Sequence, residues 1–182
     1  RARSARASLL SHTGELDAAV TEHRWILAAM ESAEGAAPAD IAAQEGRLGD
    51  ALADVSRFPE AEAAFRRALQ RIASTGAGHS PQAIQLESDL AEMLDRCGRT
   101  DEATPLFRSA LDKGRSLLGP SHPKVAQILI RYGYLLNERG RYDEGEAALD
   151  EAISILPPGH HDVAGALSYK GSALLKRERL TE

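Results

Sequence analysis

The sequence predicts an all-α protein built as an α-solenoid, and three observations carry that prediction. Residues recur by position at a spacing of 42: Gly14, Ser56, Gly98 and Gly140 at one turn, Ala19, Ala61, Ala103 and Gly145 five residues later, and Ala7, Gly49, Ala91 and Gly133 seven residues earlier. A strict period of this size marks a stacked repeat array. The 182-residue chain is rich in alanine and only 4% aromatic, which suits closely packed helices better than a sheet. Its apolar residues recur with helical spacing between Gly and Pro punctuation. Short turns within each unit then give antiparallel helix pairs, about nine helices in all.

The units are expected at about 1–37, 38–79, 80–121 and 122–159, with a terminal helix over 160–182. In the first, helices span 2–13 and 17–32, closed by Gly35 and Pro38. In the second they span 39–56 and 59–75, with Gly76 and Gly78 in the break. The third opens on Ser80-Pro81, an N-cap followed by proline at the first helical position. Ile84, Leu86, Leu90, Met93, Leu94 and Cys97 form its apolar face and Gly98 ends it. Thr100-Asp101-Glu102 then starts a helix with early acidic residues at its positive end, which Gly119-Pro120 stops. The fourth unit has helices over 123–139 and 142–156, ended by Pro157-Pro158-Gly159. A ninth helix over 162–179 matches the fourth unit's first helix, Gly171 to Gly133, if four residues are deleted at that break.

The small residues at Ala7/Gly49/Ala91/Gly133 and Ala19/Ala61/Ala103/Gly145 are expected where the two helices of a unit cross. Overpacking there would cost about 1–3 kcal/mol per site. Phe65, Phe107 and Leu149 share a phase that His23 breaks, and are expected to fill the larger gap between units. Trp25, slightly off the core phase, is expected to pack against the neighbouring unit, with exposure as a partner anchor the alternative. Arg1, Arg3 and Arg6 are expected on the first helix.

Composition excludes several functions. A net charge of −5 leaves no electrostatic footprint for nucleic acid. Cys97 is the only cysteine, so there is no internal disulfide and no thiolate metal cluster. No run reaches the ~20 apolar residues needed to span a bilayer, and the basic start lacks the apolar core of a secretory signal. A cytoplasmic location without membrane contact is expected. The start without methionine reads as part of a longer protein, and the Ala, Arg and Gly content fits GC-rich, bacterial coding.

The stretch Leu90-Ala91-Glu92-Met93-Leu94, Gly98-Arg99-Thr100-Asp101-Glu102-Ala103, Phe107, Ala110-Leu111 resembles the tetratricopeptide repeat, as does Tyr132-Gly133-Tyr134-Leu135-Leu136 with Gly140 to Gly145. The usual unit has 34 residues; the extra length here, with Leu118-Gly119-Pro120-Ser121-His122-Pro123-Lys124-Val125, is similar to the kinesin light chain-type subclass. The resemblance implies a right-handed solenoid and a non-catalytic scaffold that holds a peptide or partner protein in its concave groove. By the family's phase that groove is lined by Arg47, Asp50, Asp54, Asp89, Glu92, Asp95, Arg96, Arg131, Tyr134, Asn137, Glu138 and Tyr169. Arg47, Asp89, Arg131 and Tyr169 stand where kinesin light chain-like grooves carry asparagine, and the Lys/Asn set that clamps a C-terminal carboxylate is missing. The remaining acidic residues imply a basic or mixed-charge partner segment. Lateral ion pairs between adjacent first helices are the competing role for the charged positions.

No catalytic constellation is present: no phosphate-binding Gly-rich loop with Lys-Ser/Thr, and no Gly-x-Ser-x-Gly elbow. His160-His161-Asp162 resembles a metal site, but adjacent residues at a helix start are expected to point apart, leaving a loop-and-cap role. No enzyme activity, cofactor or metal is expected. Two alternatives stay open: a regulatory or sensor segment of a multidomain signalling enzyme such as a kinase, protease or ATPase, and a module that self-assembles into a homo-oligomer through its terminal helices, around Leu9 and Leu174-Leu175.

Overall fold

A computed structural model describes residues 2–179 as nine helices: α1 Ala2–Thr13, α2 Leu16–Ser32, α3 Pro38–Asp54, α4 Phe58–Ser74, α5 Pro81–Arg96, α6 Thr100–Leu118, α7 Pro123–Glu138, α8 Tyr142–Ile155 and α9 His161–Arg179. No strand occurs among the described residues. Arg1 and residues 180–182 of the expected terminal helix lie outside them. The chain divides into two compact units, residues 1–99 and 100–182, with the division after Arg99 in the turn of the third repeat.

The tight turns follow from one backbone device. Gly14, Gly98 and Gly140 take φ between 72° and 83°, and Ser56 takes 59°. In each turn the next N–H reaches back to a helix carbonyl: Glu15 to Leu10, Arg57 to Leu52, Arg99 to Leu94 and Arg141 to Leu136, at 2.8–2.9 Å. This closure satisfies a terminal carbonyl and requires a left-handed residue at its corner. Ser56 meets the requirement at a steric cost of about 1–2 kcal/mol that glycine avoids. Ser56→Gly is therefore expected to raise the unfolding free energy by about 0.5–1 kcal/mol in a denaturant titration, and no gain would contradict this reading of the corner.

Within the first unit α1 packs on α2, α2 on α3, α3 on α4 and α4 on α5, and α3 also lies beside α5; within the second α6, α7, α8 and α9 pack in sequence and α7 lies beside α9. The crossings are as close as the small residues imply. A Cβ on Gly49 would stand 2.8 Å from the tip of the Phe65 ring, and one on Gly133 would stand 2.8 Å from Leu149 Cγ. Phe65 and Leu149 thus fill the crossing within their own repeat, correcting their expected place between repeats; the absent Cβ makes room for them. Phe107 does reach the next repeat, its ring centroid 5.8 Å from that of Tyr132. The expected four-residue deletion shortens α8 to 14 residues, against 17 for α2 and α4 and 19 for α6.

His23, at the phase of Phe65, is buried. Its Nδ1 lies 2.9 Å from Gln44 Nε2, which also donates to the His23 carbonyl at 3.2 Å. Nδ1 therefore accepts and the ring is neutral. Burial, foremost, and the Arg47 guanidinium hold its pKa below the ordinary 6.5, with the Glu22 carboxylate opposing. Because the folded pKa is depressed, the unfolded chain binds the proton first, and stability present above about pH 6.5 is lost as pH falls towards the folded value. Melting temperature should drop on acidification below that point, and His23→Phe should flatten this part of the pH profile.

Candidate functional site

The first helices α3 and α5 carry a hollow of about 300 Å³, lined by Ala39, Asp40, Ala43, Gly46, Arg47, Asp50, Gln82, Gln85, Leu86 and Asp89. Its floor is apolar because Leu86 Cδ2 rests 2.6 Å from where a Gly46 Cβ would stand. Its walls are polar and oriented. Gln82 Nε2 spans the two helices to the Ala39 carbonyl at 2.7 Å, and Gln85 Nε2 holds Asp89 Oδ1 at 2.8 Å. Three carboxylates (Asp40, Asp50, Asp89) face one guanidinium (Arg47), so the hollow is acidic. It brings together Arg47, Asp50 and Asp89 of the sequence-derived set. Asp40, Gln82 and Gln85 escaped that set because they sit one to two turns nearer the helix starts than the family's phase suggests.

Other expected groove residues serve as lateral ties. Arg96 Nη1 meets Asp54 Oδ1 at 3.3 Å and its Nη2 donates to the Ala53 carbonyl at 3.0 Å. Glu138 and Lys176 form the same tie between α7 and α9 at 2.5 Å, and this hydrogen bond raises the Lys176 pKa. The first pair is separated by 42 residues and the second by 38, which is the four-residue deletion expressed in side chains. Such exposed pairs contribute at most about 1 kcal/mol each, but they occupy charges that a ligand would otherwise meet. Tyr134 and Tyr169, both exposed, form a tilted ring pair at 4.8 Å on the α7/α9 face. Glu92, Asp95 and Arg131 are half-buried along α5 and α7.

Two expectations are corrected. Asn137 does not face a groove: it is 4% exposed, its Cγ 2.8 Å from where a Gly145 Cβ would be, with both amide atoms buried and unpartnered. At the end of α7 the helix has turned this position onto α8, where its counterpart Ala53 is also buried. Trp25 does not pack against a neighbouring unit. It is 52% exposed, with the Arg3 guanidinium 3.6 Å above the ring, an arrangement that suits cation and ring quadrupole. Arg3 and Arg6 lie on α1 as expected, and each reaches Glu22 at 3.2 Å.

The opposite side of the helix pairs carries a second kind of hollow at equivalent positions, between α2 and α4 and between α6 and α8. Lateral pairs bridge both, Arg24 to Glu60 at 2.5 Å and Arg115 to Glu151 at 2.7 and 2.9 Å. Beneath the first lies a buried acid, Glu45 on α3, held by Arg71 at 3.0 and 3.1 Å with Arg67 at 3.7 Å and Glu31 completing the cluster. Sequence reasoning missed it; the available signal was the recurrence of the acid–base pair as Glu87 and Lys113, 42 residues on.

His160, His161 and Asp162 come closer than adjacency suggested: the rings stack at 4.5 Å and the potential ligand atoms lie within 4.8 Å of one another. Yet His160 Nδ1 accepts the Asp162 N–H at 3.2 Å, as His122 Nδ1 accepts the Lys124 N–H at 3.1 Å. The shared geometry marks His160 as a helix cap. Cys97 is half-buried, its thiol donating to the Leu94 carbonyl. No helix among the described residues is long and apolar enough to cross a membrane.

Paired helices in 42-residue units, with small residues at the α3/α4 and α7/α8 crossings, define a helical repeat protein. The tetratricopeptide repeat model matches residues 39–112 and 83–157, and the chain belongs to the tetratricopeptide repeat family. Proteins of this family generally mediate protein–protein interaction and are typically non-catalytic. Over 94 residues the chain is 33% identical to human tetratricopeptide repeat protein 19, mitochondrial, covering 52% of this chain and 24% of that one. The rat protein of the same name is 31% identical over 97 residues, covering 53% and 26%. The chain thus spans about a quarter of the length of these curated relatives. Among solved structures, BtubC (BKLC) from P. vanneervenii superposes with a TM-score of 0.82 at 19% identity, over 94% of this chain and 70% of that one. A putative kinesin light chain with nearly identical TPR-like repeats from Podosopora anserina gives 0.78 at 17% identity, over 98% and 87%. These likenesses show the fold, an all-α tetratricopeptide-type solenoid.

Proposed function

We propose that the chain is a non-catalytic scaffold that binds an extended, basic or mixed-charge peptide segment along its first helices, with the α3/α5 hollow as the anchoring subsite. The observation that carries this reading is the acidic hollow itself, an apolar Gly46–Leu86 floor walled by Asp40, Asp50 and Asp89. At about 300 Å³ it lies at the lower edge of ligand-pocket volumes. That volume suits one or two side chains of an extended segment better than a whole small molecule. A Lys or Arg side chain fits its chemistry, the aliphatic stem on Leu86 and the cationic head among the carboxylates. In the second unit the exposed Tyr134–Tyr169 pair offers an aromatic surface of its own.

Selection of a randomised peptide display library against the chain tests the proposal. Binders should be enriched in Lys and Arg, and reversing Asp40, Asp50 and Asp89 to lysine should weaken a selected basic peptide about tenfold or more. Unchanged binding after that reversal would refute it.

A further inference from the structure

The buried His23 of α2 is joined to the acidic hollow by a short chain of polar contacts. His23 Nδ1 accepts from Gln44 Nε2 at 2.9 Å, and the same Nε2 donates to the His23 carbonyl at 3.2 Å. The other end of the amide, Oε1, accepts from Arg47 Nη1 at 3.5 Å, and Arg47 lines the hollow with Asp40, Asp50 and Asp89. Gln44 is 1% exposed, so both ends of its amide must find partners inside the protein. In the next two repeats the positions of His23 and Gln44 hold Phe65 with Leu86 and Phe107 with Ile128, all buried. Packing alone therefore does not call for the polar pair. The other charges around the ring are few. Glu22 on α2 is held by Arg3 and Arg6 of α1 at 3.2 Å. Glu45, beside Gln44 on α3, is taken by Arg71 of α4, which leaves Arg47 as the α3 charge acting on His23.

We infer that Gln44 relays the charge state of His23 to Arg47, so that protonation of His23 closes the hollow to a basic side chain. The inference rests on the reading of that hollow as the anchoring subsite. In the neutral ring Nδ1 is an acceptor and is met by the amide N–H, which leaves Oε1 for Arg47. A proton on Nδ1 makes it a donor, and two donors then stand 2.9 Å apart. The amide resolves this by turning its oxygen to the ring, which presents its N–H groups to the guanidinium. Arg47 loses an acceptor and meets a donor. The contact it surrenders is long, at 3.5 Å, and correspondingly weak. The carboxylates of Asp50 and Asp89 line the same hollow, and a guanidinium binds them more strongly than an amide oxygen. There Arg47 takes the place of the ligand's cation. The turned amide also gives up the His23 carbonyl. That cost falls on the protonated state and acts with burial and the Arg47 charge to hold the proton off until the pH is low. Protonation and ligand binding thus oppose each other, each weakening the other by the same factor.

Two measurements on the 182-residue chain test this. The first needs no ligand: side-chain NMR of His23, Gln44 and Arg47 from about pH 8 to about pH 5, across the histidine range. The Gln44 amide protons and the Arg47 Nε–H are expected to move together at the His23 midpoint, which lies below 6.5. In Gln44→Leu, which copies Leu86 of the next repeat, His23 should still titrate while Arg47 stays still. A stationary Gln44 amide in the native chain overturns the relay even if that variant does not fold. So does an Arg47 signal that follows His23 unchanged in Gln44→Leu, or acid unfolding, read by circular dichroism, before His23 titrates. The second measurement is calorimetric titration with the display-selected basic peptide. Affinity should be about tenfold lower once His23 is protonated than at pH 8, with the His23 midpoint about one pH unit lower in the complex. His23→Phe with Gln44→Leu, the chain's own apolar version of the pair, should bind equally at both pH values. A pH-independent affinity in the native chain, or the same loss in the double variant, would overturn the closure. If no basic peptide binds at either pH while Gln44 and Arg47 still titrate together, the relay is upheld and the subsite reading is what fails.

Discussion

Gly145→Ala is expected to destabilise the fold by about 1–3 kcal/mol through overpacking, although alanine is the better helix former by about 1 kcal/mol. The crossing of α7 and α8 has no room for the methyl group. A Cβ there would collide with the Asn137 amide, Cγ at 2.8 Å, and stand 2.9 Å from the Gly133 carbonyl oxygen. In the second repeat the same two positions are Ala53 and Ala61, both buried, so alanine is tolerated where no amide fills the gap. Asn137→Ala should therefore restore much of the loss. Alone it should be neutral or mildly stabilising, because it removes two buried polar atoms that have no partner, each a desolvation cost of about 1–3 kcal/mol. The double variant should lie above the sum of the singles by about 1 kcal/mol or more. Urea titration of the four proteins measures this coupling, and strict additivity would show that Asn137 does not set the requirement for glycine.

Arg71→Ala is expected to cost about 2 kcal/mol, less than the ~3–5 kcal/mol of a fully enclosed pair. Glu45 is fully buried and takes two hydrogen bonds from Arg71. Arg71 itself is about a third exposed, so solvent screens part of the interaction, and Arg67 at 3.7 Å partly replaces it. Two repeats further on, the same positions are Leu129 and Ile155. The chain thus contains its own apolar version of the pair. Glu45→Leu combined with Arg71→Ile should be neutral or stabilising, since well-packed apolar residues commonly match a buried ion pair. Thermal melts of the two variants separate the cases: equal destabilisation of both would mean that the ion pair contributes net stability.

The 42-residue period made the helices, the corner residues and the close crossings legible, because each depends on a local rule or on volume alone. Gly14, Ser56, Gly98 and Gly140 announce their turns through positive φ, and Gly133 announces its crossing by lacking a side chain. The site was less legible because it depends on which way a side chain turns between two helices. Asn137 shares the expected groove phase, yet lies one position beyond a 100° step that carries it onto α8. Asp54, Arg96 and Glu138 do face the first-helix side, but neighbours 42 or 38 residues away engage them. Lys176 could be paired with Glu138 only once the deletion was converted into register. Glu45 was hidden by the ordinary rule that acids lie outside, which fails where an arginine from the next helix arrives to meet it.

The central claim is that a ligand lies on the first-helix face, and amide hydrogen exchange with a display-selected basic peptide bound tests it most directly. Added protection is expected over α3 and α5 at 39–50 and 82–89, with little change on the α2 and α4 faces around Arg24 and Ala63. Protection confined to α2 and α4, or none over 39–50 and 82–89, would contradict it.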